Sequence, residues 1–504
     1  MGGVLKSQRF MSRYTFNPKI DPGRDRRRRM LIGAAVFAAV LVVGVILFIV
    51  GIRGLTGGAA SDRSASSTAT GKFMPVVTIF APDVTIQLGT PLPKATAASP
   101  SQAATAVPGS TSAATSQADP TNAPAIAADP RGALPGMADF SCPKPHTIPA
   151  TFGYGIQSNW PVGDIGYWNT IMAERLKLNW TKAQVRWKDF QPDKTDWTKA
   201  QNNWQLLDAF TADANKKGLN ILYGVIDAPE WARSTIKPAK TGPPDDFALA
   251  AKFFEKVLAR YKGCVQAVEV WNEMNIDREW TTPSGVISAA DYIKFLNAVI
   301  PTIRSVDPNL MVIMGALAPT GINAPGQSMD DFTYMDQFVA AGGTALVDCI
   351  GVHLNGYNMP PDKDWNEGYN NPLAKFRGPF DGPHHSWSFK STLYGYYQRT
   401  NKNQCVTEFG WASMQNLGVT GNPPGFEFAL DNSEQQQADW IVKGFQMMRE
   451  SGFVRFGIVF NLDYIQKIGQ KPNEAGGDPA TYSVVRPDGS PRPAFDAIAN
   501  MPKP

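Results

Sequence analysis

Two glutamates stand at the ends of apolar runs of the same design. Val268-Glu269-Val270-Trp271-Asn272-Glu273 delivers an acid after a tryptophan and an amide, and Cys405-Val406-Thr407-Glu408-Phe409-Gly410-Trp411 places a second acid among aromatics 135 positions after Glu273. An apolar run that stops at a carboxylate reads as a buried strand presenting that group at its end. Paired carboxylates suit glycoside hydrolysis, in which one carboxyl protonates the leaving oxygen while the other attacks, or activates water against, the sugar carbon. A lone glutamate in such a place is more often a salt-bridged structural group, so the pairing carries the reading.

The elements that must position this pair begin near residue 140. Eight apolar runs read as strands: Phe152 to Gln157, Ala183 to Trp187, Asn220 to Ile226, Val265 to Trp271, Met311 to Leu317, Cys349 to His353, Gln404 to Phe409 and Gly457 to Leu462. Amphipathic segments separate them, with helix stops at Gly218, Gly263 and Ser451-Gly452, an N-cap at Ser288, and Arg492-Pro493 opening a last short helix. Strands joined through helices pair in parallel, and eight such units predict a closed (β/α)8 TIM barrel over residues 140–504. An open doubly wound sheet is the competing arrangement. Against it, the glycines of Phe152-Gly153-Tyr154-Gly155-Ile156-Gln157 fall within the first strand and form no phosphate loop after it.

Active sites of such barrels lie at the C-terminal ends of the strands. That rule selects Arg186 and Trp187 on the second strand, Asn272 and Glu273 on the fourth, His353 on the sixth, Glu408 on the seventh with Trp411 beyond it, and Asn461 on the eighth. The longest loop, 354–388, holds Tyr357, Trp365, Tyr369, Phe376, Phe380 and Trp387, whose flat faces and polar edges suit sugar rings. It also carries His384-His385, read as structural because adjacent histidines seldom face one ion.

The stretches Trp271-Asn272-Glu273 and Thr407-Glu408-Phe409-Gly410-Trp411, on strands four and seven of eight, resemble the two signatures of the clan A glycoside hydrolases, closest to the cellulase-like and β-xylosidase-like families 5 and 39. The resemblance covers about residues 150–504, including Arg486-Pro487-Asp488-Gly489-Ser490-Pro491-Arg492-Pro493 before the final helix. It implies a retaining enzyme of a β-linked oligo- or polysaccharide, without cofactor or metal. Glu273 would be the acid/base and Glu408 the nucleophile. Asn272 would hold the sugar 2-hydroxyl, Arg186 and Tyr357 would hydrogen-bond Glu408, and His353 would line the site together with Trp187, Trp411 and Asn461. Burial and repulsion would raise the pKa of the acid, while arginine and tyrosine donors would keep the nucleophile ionised. Phe460-Asn461 stands where the family usually has a tryptophan, and Met274 where it often has proline. Two alternatives stay open: an inactive surface carbohydrate-binding barrel, and a transglycosylase using the same glutamates.

The first 139 residues differ in character. Residues 1–53 carry ten Lys and Arg against Asp21 and Asp25, a charge of +8, so the remaining chain is −4 although the whole is +4. A domain with that balance has no basic face for nucleic acid. A basic tail (1–30) precedes 22 uncharged residues, Leu31 to Ile52. That length spans a bilayer, and the basic flank predicts a cytoplasmic N-terminus with the barrel outside. Residues 53–139, rich in Ala, Ser, Thr and Pro, bury too little to fold and read as a disordered linker. Outside the membrane the four cysteines could form disulfides. Three pairings or four free thiols are open, and strand neighbourhood favours Cys349 with Cys405 and Cys142 with Cys264.

Overall fold

A computed structural model of the chain describes residues 126, 128–237, 240–369 and 384–504. The expected tail, the membrane segment 31–52 and most of the linker lie outside them, as do Phe376, Phe380 and the side chain of Tyr369. Among the described residues no helix is long and apolar enough to cross a membrane.

Eight strands close a barrel in sequence order: β1 Gly153–Gln157, β2 Trp180–Arg186, β3 Asn220–Ile226, β4 Ala267–Val270, β5 Met311–Leu317, β6 Cys349–Gly356, β7 Gln404–Trp411 and β8 Val454–Phe460. All neighbours are parallel, and β1 completes the ring against β8. One main helix follows each strand: α1 Ile165–Thr170, α2 Gln201–Lys216, α3 Phe247–Arg260, α4 Ala289–Val306, α5 Asp331–Ala340, α6 Phe389–Thr400, α7 Glu434–Ser451 and α8 Pro493–Asn500. The N-cap expected at Ser288 is present. The Ser288 hydroxyl accepts from the Asp291 amide, and Ser433 with Gln436 forms a complete capping box before α7.

The interior is apolar at its closed end. Trp180, Leu222, Ala267, Ile313, Cys349, Cys405, Phe456 and Ile458 fill it from seven strands. Trp180 stacks on Phe456 with ring centroids 4.4 Å apart. The two β1 glycines make room: a Cβ on Gly153 would sit 2.4 Å from the Trp180 ring and one on Gly155 2.3 Å from Ile458. A disulfide, Cys349–Cys405, joins β6 to β7 here, and Cys142–Cys264 ties the chain entering β1 to the turn after α3. The second bridge spans 122 positions. Replacing Cys142 and Cys264 together by serine is expected to lower unfolding free energy by roughly 2–5 kcal/mol, read from urea denaturation of the full-length chain.

Several boundaries differ from the sequence reading, among them those of β4 (Ala267–Val270 for Val265 to Trp271) and the ends of β6 (Gly356 for His353) and β7 (Trp411 for Phe409). β2 begins at Trp180, three residues before the expected Ala183, because Lys182 continues the strand with its charge buried inside the barrel. β8 runs Val454–Phe460 and not Gly457 to Leu462, with Arg455 only half-buried on it. The packed body also begins before residue 140. Leu134 is buried, Gly132 lies against the backbone of α3, and Lys256 donates to the carbonyls of Arg131 and Ala133. A single leucine among Ala, Gly and Pro has too little apolar density to be read as part of a core.

Candidate active site

The chain leaves β4 in an unusual conformation. Trp271 (φ 79°) and Glu273 (φ 45°) lie in the left-handed region, where a non-glycine residue costs on the order of 1–3 kcal/mol. Surrounding bonds hold the bend. The Glu273 amide donates to the Ala316 carbonyl at 2.7 Å, and the Trp271 indole donates to the Glu279 carbonyl at 2.9 Å. Asn275 donates to the carbonyls of Ala318 and Met329 and accepts from the Ala318 amide, clamping this loop to the end of β5. The Glu273 carboxyl thereby turns into a cleft of about 700 Å³ at the C-terminal rim.

Glu408 reaches the same cleft from β7. The register of β7 against β8 shifts between Val406 and Phe409. Such an irregularity lets two successive side chains leave the strict alternation of a strand, and here Thr407 and Glu408 both meet the interior. Thr407 donates to Glu269 Oε1 at 2.7 Å, while Lys182 Nζ lies 3.0 Å from Glu408 Oε1 and 2.9 Å from Glu269 Oε2. Lys182 and Glu269 are fully buried. Burial works against the lysine's charge, but the two carboxylates outweigh it and raise its pKa above the usual value.

His353, on β6, joins the two acids from behind. Its Nδ1 donates to Glu273 Oε1 at 3.0 Å, and its Nε2 lies 3.8 Å from Glu408 Oε1. Burial opposes its protonation, yet the charge of Glu408 and the bond to Glu273 raise its pKa. The other oxygen of Glu273 accepts from Arg278 Nη2 at 3.0 Å. Burial alone would raise this carboxyl. The His353 hydrogen bond and the Arg278 charge override burial and hold it down at about 2, the reverse of the raised acid expected from sequence. The raised carboxyl is the neighbouring Glu279, pushed up to about 7 by burial and by the charge of Glu273. Asp478, also in the cleft, is raised chiefly by burial.

The remaining expected residues divide. Asn272 lines the cleft, and its Oδ1 is buried without a hydrogen-bond partner among the described residues. Arg186 lines the cleft too, but its Nε binds Asp227 at 2.7 Å, so the cation on Glu408 is Lys182, four residues earlier on the same strand. Tyr357 lines the cleft edge-on to Phe428. Beside Glu408 stands Tyr464, whose hydroxyl accepts from Gln157 at 2.6 Å. His353 is fully buried behind the carboxylates and does not line the cleft.

Trp187, Trp411 and Asn461 are structural in position. Trp187 stacks on Phe253 of α3, and Trp411 packs on Phe389 with its indole donating to the Met359 carbonyl. Asn461, after a cis peptide bond to Phe460, binds the Pro479 carbonyl, the Ser483 hydroxyl and the Tyr464 amide. It holds the loop that brings Asp478 and Tyr482 to the cleft. The two tryptophans follow their strands into the helix layer, and the Asn461 side chain is taken up by the loop after β8. The aromatic wall consists instead of Tyr357, Phe426, Phe428, Phe460, Tyr464 and Tyr482 among the described residues. Gly356 is required by this packing, since a Cβ there would lie 2.0 Å from the Trp411 indole nitrogen. Gly356→Ala is expected to cost about 1–3 kcal/mol, measured as a lower unfolding midpoint.

His384 and His385 find carboxylates from another part of the chain. His384 Nε2 lies 2.9 Å from Asp330 Oδ2, and His385 Nε2 lies 2.9 Å from Asp331 Oδ2, which also accepts from Tyr396. The four groups lie within 4.8 Å of one another. These bonds pin the end of the long loop to the start of α5.

Fold and site together define a closed parallel (β/α)8 barrel whose rim carries two buried carboxylates opening on one cleft. No family model and no curated protein matches the chain. Solved structures similar to it include glycoside hydrolases. A family 39 glycoside hydrolase from Bacteroides cellulosilyticus WH2 is 16% identical, with a TM-score of 0.48, over 70% of this chain and 65% of that one. Xylanase 10B from Thermotoga maritima is 13% identical, with a TM-score of 0.46, over 70% of this chain and 94% of that one. An exo-β-1,4-mannosidase from Opitutaceae bacterium strain TAV5 is 14% identical, with a TM-score of 0.44, over 75% of this chain and 62% of that one.

Proposed function

We propose that the chain is a retaining glycoside hydrolase of β-linked glycans, held at the outer face of a membrane by residues 31–52. One observation carries the reading: carboxylates from the ends of β4 and β7 open on a single cleft and share one buried imidazole. Glu408, backed by Lys182, is the nucleophile, and Glu273 is the acid/base. In the first step Glu408 bonds to the anomeric carbon while the bond to the leaving oxygen breaks and that oxygen takes the proton of Glu273. In the second, water gives a proton to Glu273 and its oxygen displaces Glu408 with a second inversion, so the β configuration returns. Asn272 Oδ1 accepts from a sugar hydroxyl, and the Phe426, Phe460 and Tyr482 rings supply apolar faces.

The test is hydrolysis of soluble β-glycans and aryl β-glycosides by the full-length chain, with the product anomer followed by proton NMR during the first minutes. Release of the β anomer is expected. Release of the α anomer would overturn double displacement, and binding without cleavage would favour the inactive carbohydrate-binding barrel. Tethering is read separately. Protease added to intact cells should release the barrel from the membrane fraction, whereas protection from protease would place it on the other side.

A further inference from the structure

We propose that the catalytic cleft continues past Glu408 into a second chamber, between the loop after β1 and the end of β2, which holds one further neutral sugar of the glycone. The chain then cuts off pieces of two or more sugars and not single ones. The inference rests on the reading of Glu273 and Glu408 as the hydrolytic pair.

The chamber has a volume of about 260 Å³ against about 700 Å³ for the cleft, and Gln184, Arg186 and Tyr464 line both. At this end the cleft is bounded by side chains with space on either side of them. These three mark the Glu408 side. Gln184 stands two residues beyond Lys182 on the inward face of β2, Lys182 holds Glu408, and Tyr464 stands beside Glu408. Arg278, which binds Glu273, and its neighbour Glu279 line the cleft alone. In double displacement the nucleophile attacks the glycone while the acid protonates the oxygen that leaves. A glycan passing the neck on the Glu408 side is therefore the glycone, and the sugar in the chamber is its second ring. The chamber lies just below the roughly 300 Å³ at which small-molecule sites begin, a size for one ring.

The walls are held before any ligand arrives. Asp463, fully buried, accepts from the Ser158 hydroxyl at 2.8 Å and the Asn159 amide at 2.9 Å, and pairs with Lys467 at 2.6 Å. Trp160 stacks along Phe190 with ring centroids 6.3 Å apart and donates its indole N–H to the Gln184 carbonyl at 3.2 Å. A preformed wall spares the ordering cost of binding. Several polar groups of the chamber remain unspent. Among the described residues the Asn159 and Gln184 side-chain amides make no hydrogen bond, and Arg186 uses only its Nε, on Asp227 at 2.7 Å. The Asp189 carboxylate is 47% exposed and lies 3.8 Å from that Nε. Amides, a guanidinium and a carboxylate beside an aromatic wall supply the donors, acceptors and apolar faces that a ring of hydroxyls takes up. Arg186 and Asp189 carry opposite charges, and Lys467 balances Asp463, so the chamber suits a neutral ring.

The test gives the full-length chain nitrophenyl β-glycosides of glucose, xylose and mannose beside those of cellobiose, laminaribiose, xylobiose and mannobiose. For the sugar that is cleaved, kcat/KM should be at least about tenfold higher on the disaccharide, because binding energy from the remote ring is drawn on in the transition state. Asp189→Ala and Asn159→Ala remove side chains that hold no other part of the fold. Each should shrink that ratio by roughly three- to tenfold, the scale of one lost hydrogen bond. Equal kcat/KM on one and two sugars, or a ratio unmoved in both variants, would overturn the chamber while leaving the hydrolase reading in place. If no glycoside is cleaved, the hydrolase reading fails, and titration calorimetry of the free disaccharides decides the chamber separately. Affinity should then fall in Asp189→Ala, whereas unchanged affinity, or no binding by the parent chain, would overturn it.

Discussion

Glu408→Gln is expected to lower kcat by roughly 10⁴–10⁶-fold, the scale on which loss of a nucleophile acts, while the fold persists. Glutamine matches glutamate in shape, and its amide oxygen can still accept from Lys182 at the position now 3.0 Å away. The Lys182–Glu269 ion pair and the Thr407 bond remain below it. The unfolding midpoint should thus change little, and kcat with its thermal unfolding curve checks both halves. Near-normal turnover would remove Glu408 from the chemistry. The matching change at Glu273 should behave differently: an aryl glycoside whose phenolate leaves without protonation should retain far more activity than an unactivated glycan. Equal losses on both substrates would argue against an acid role.

Lys182→Met is expected to damage stability as well as rate. Among the described residues the lysine is the one cation in contact with Glu269, a fully buried carboxylate, and its removal leaves buried charge without an ionic partner. Breaking such a pair costs about 3–5 kcal/mol, enough to consume a large part of a typical domain's stability. Adding Glu269→Gln should recover part of that loss, because one uncompensated charge disappears. A double-mutant cycle on unfolding free energy reads the coupling. Strict additivity would mean that Lys182 and Glu269 do not act as a pair. Activity should not return with stability, since Glu408 still lacks the ammonium that orients it.

How far the sequence reached depends on the kind of signal each residue gives. Strand and helix alternation made the barrel legible, because buried parallel strands need continuous apolar runs and their helices need capped amphipathic ones. The pairing Cys349–Cys405 was legible for the same reason, since adjacent strands bring their first residues together. Lys182 was missed because a lysine interrupts hydrophobic scoring. Period-two alternation offered the missing signal: Thr181, Ala183 and Val185 face the helices, so Trp180, Lys182, Gln184 and Arg186 must face inward. The same alternation puts Glu269 inside, between Val268 and Val270.

No such pattern marks Arg278 or Glu279, which lie on a loop whose course is set by the left-handed turn at Trp271 and Glu273. Nor could spacing place Trp187, Trp411 and Asn461, because the residues at a strand end can turn either to the axis or to the helix layer. The sequence by itself determined an eight-unit barrel and two acids at its strand ends, both consequences of local periodicity and chain order, and it favoured the cysteine pairing without closing the alternatives. Tertiary structure alone decided which cation meets Glu408, which rings line the cleft and that Glu273 rests ionised between His353 and Arg278. Those depend on where side chains from five strands converge and on the burial that sets their charges, and neither quantity is carried by any single stretch of the chain.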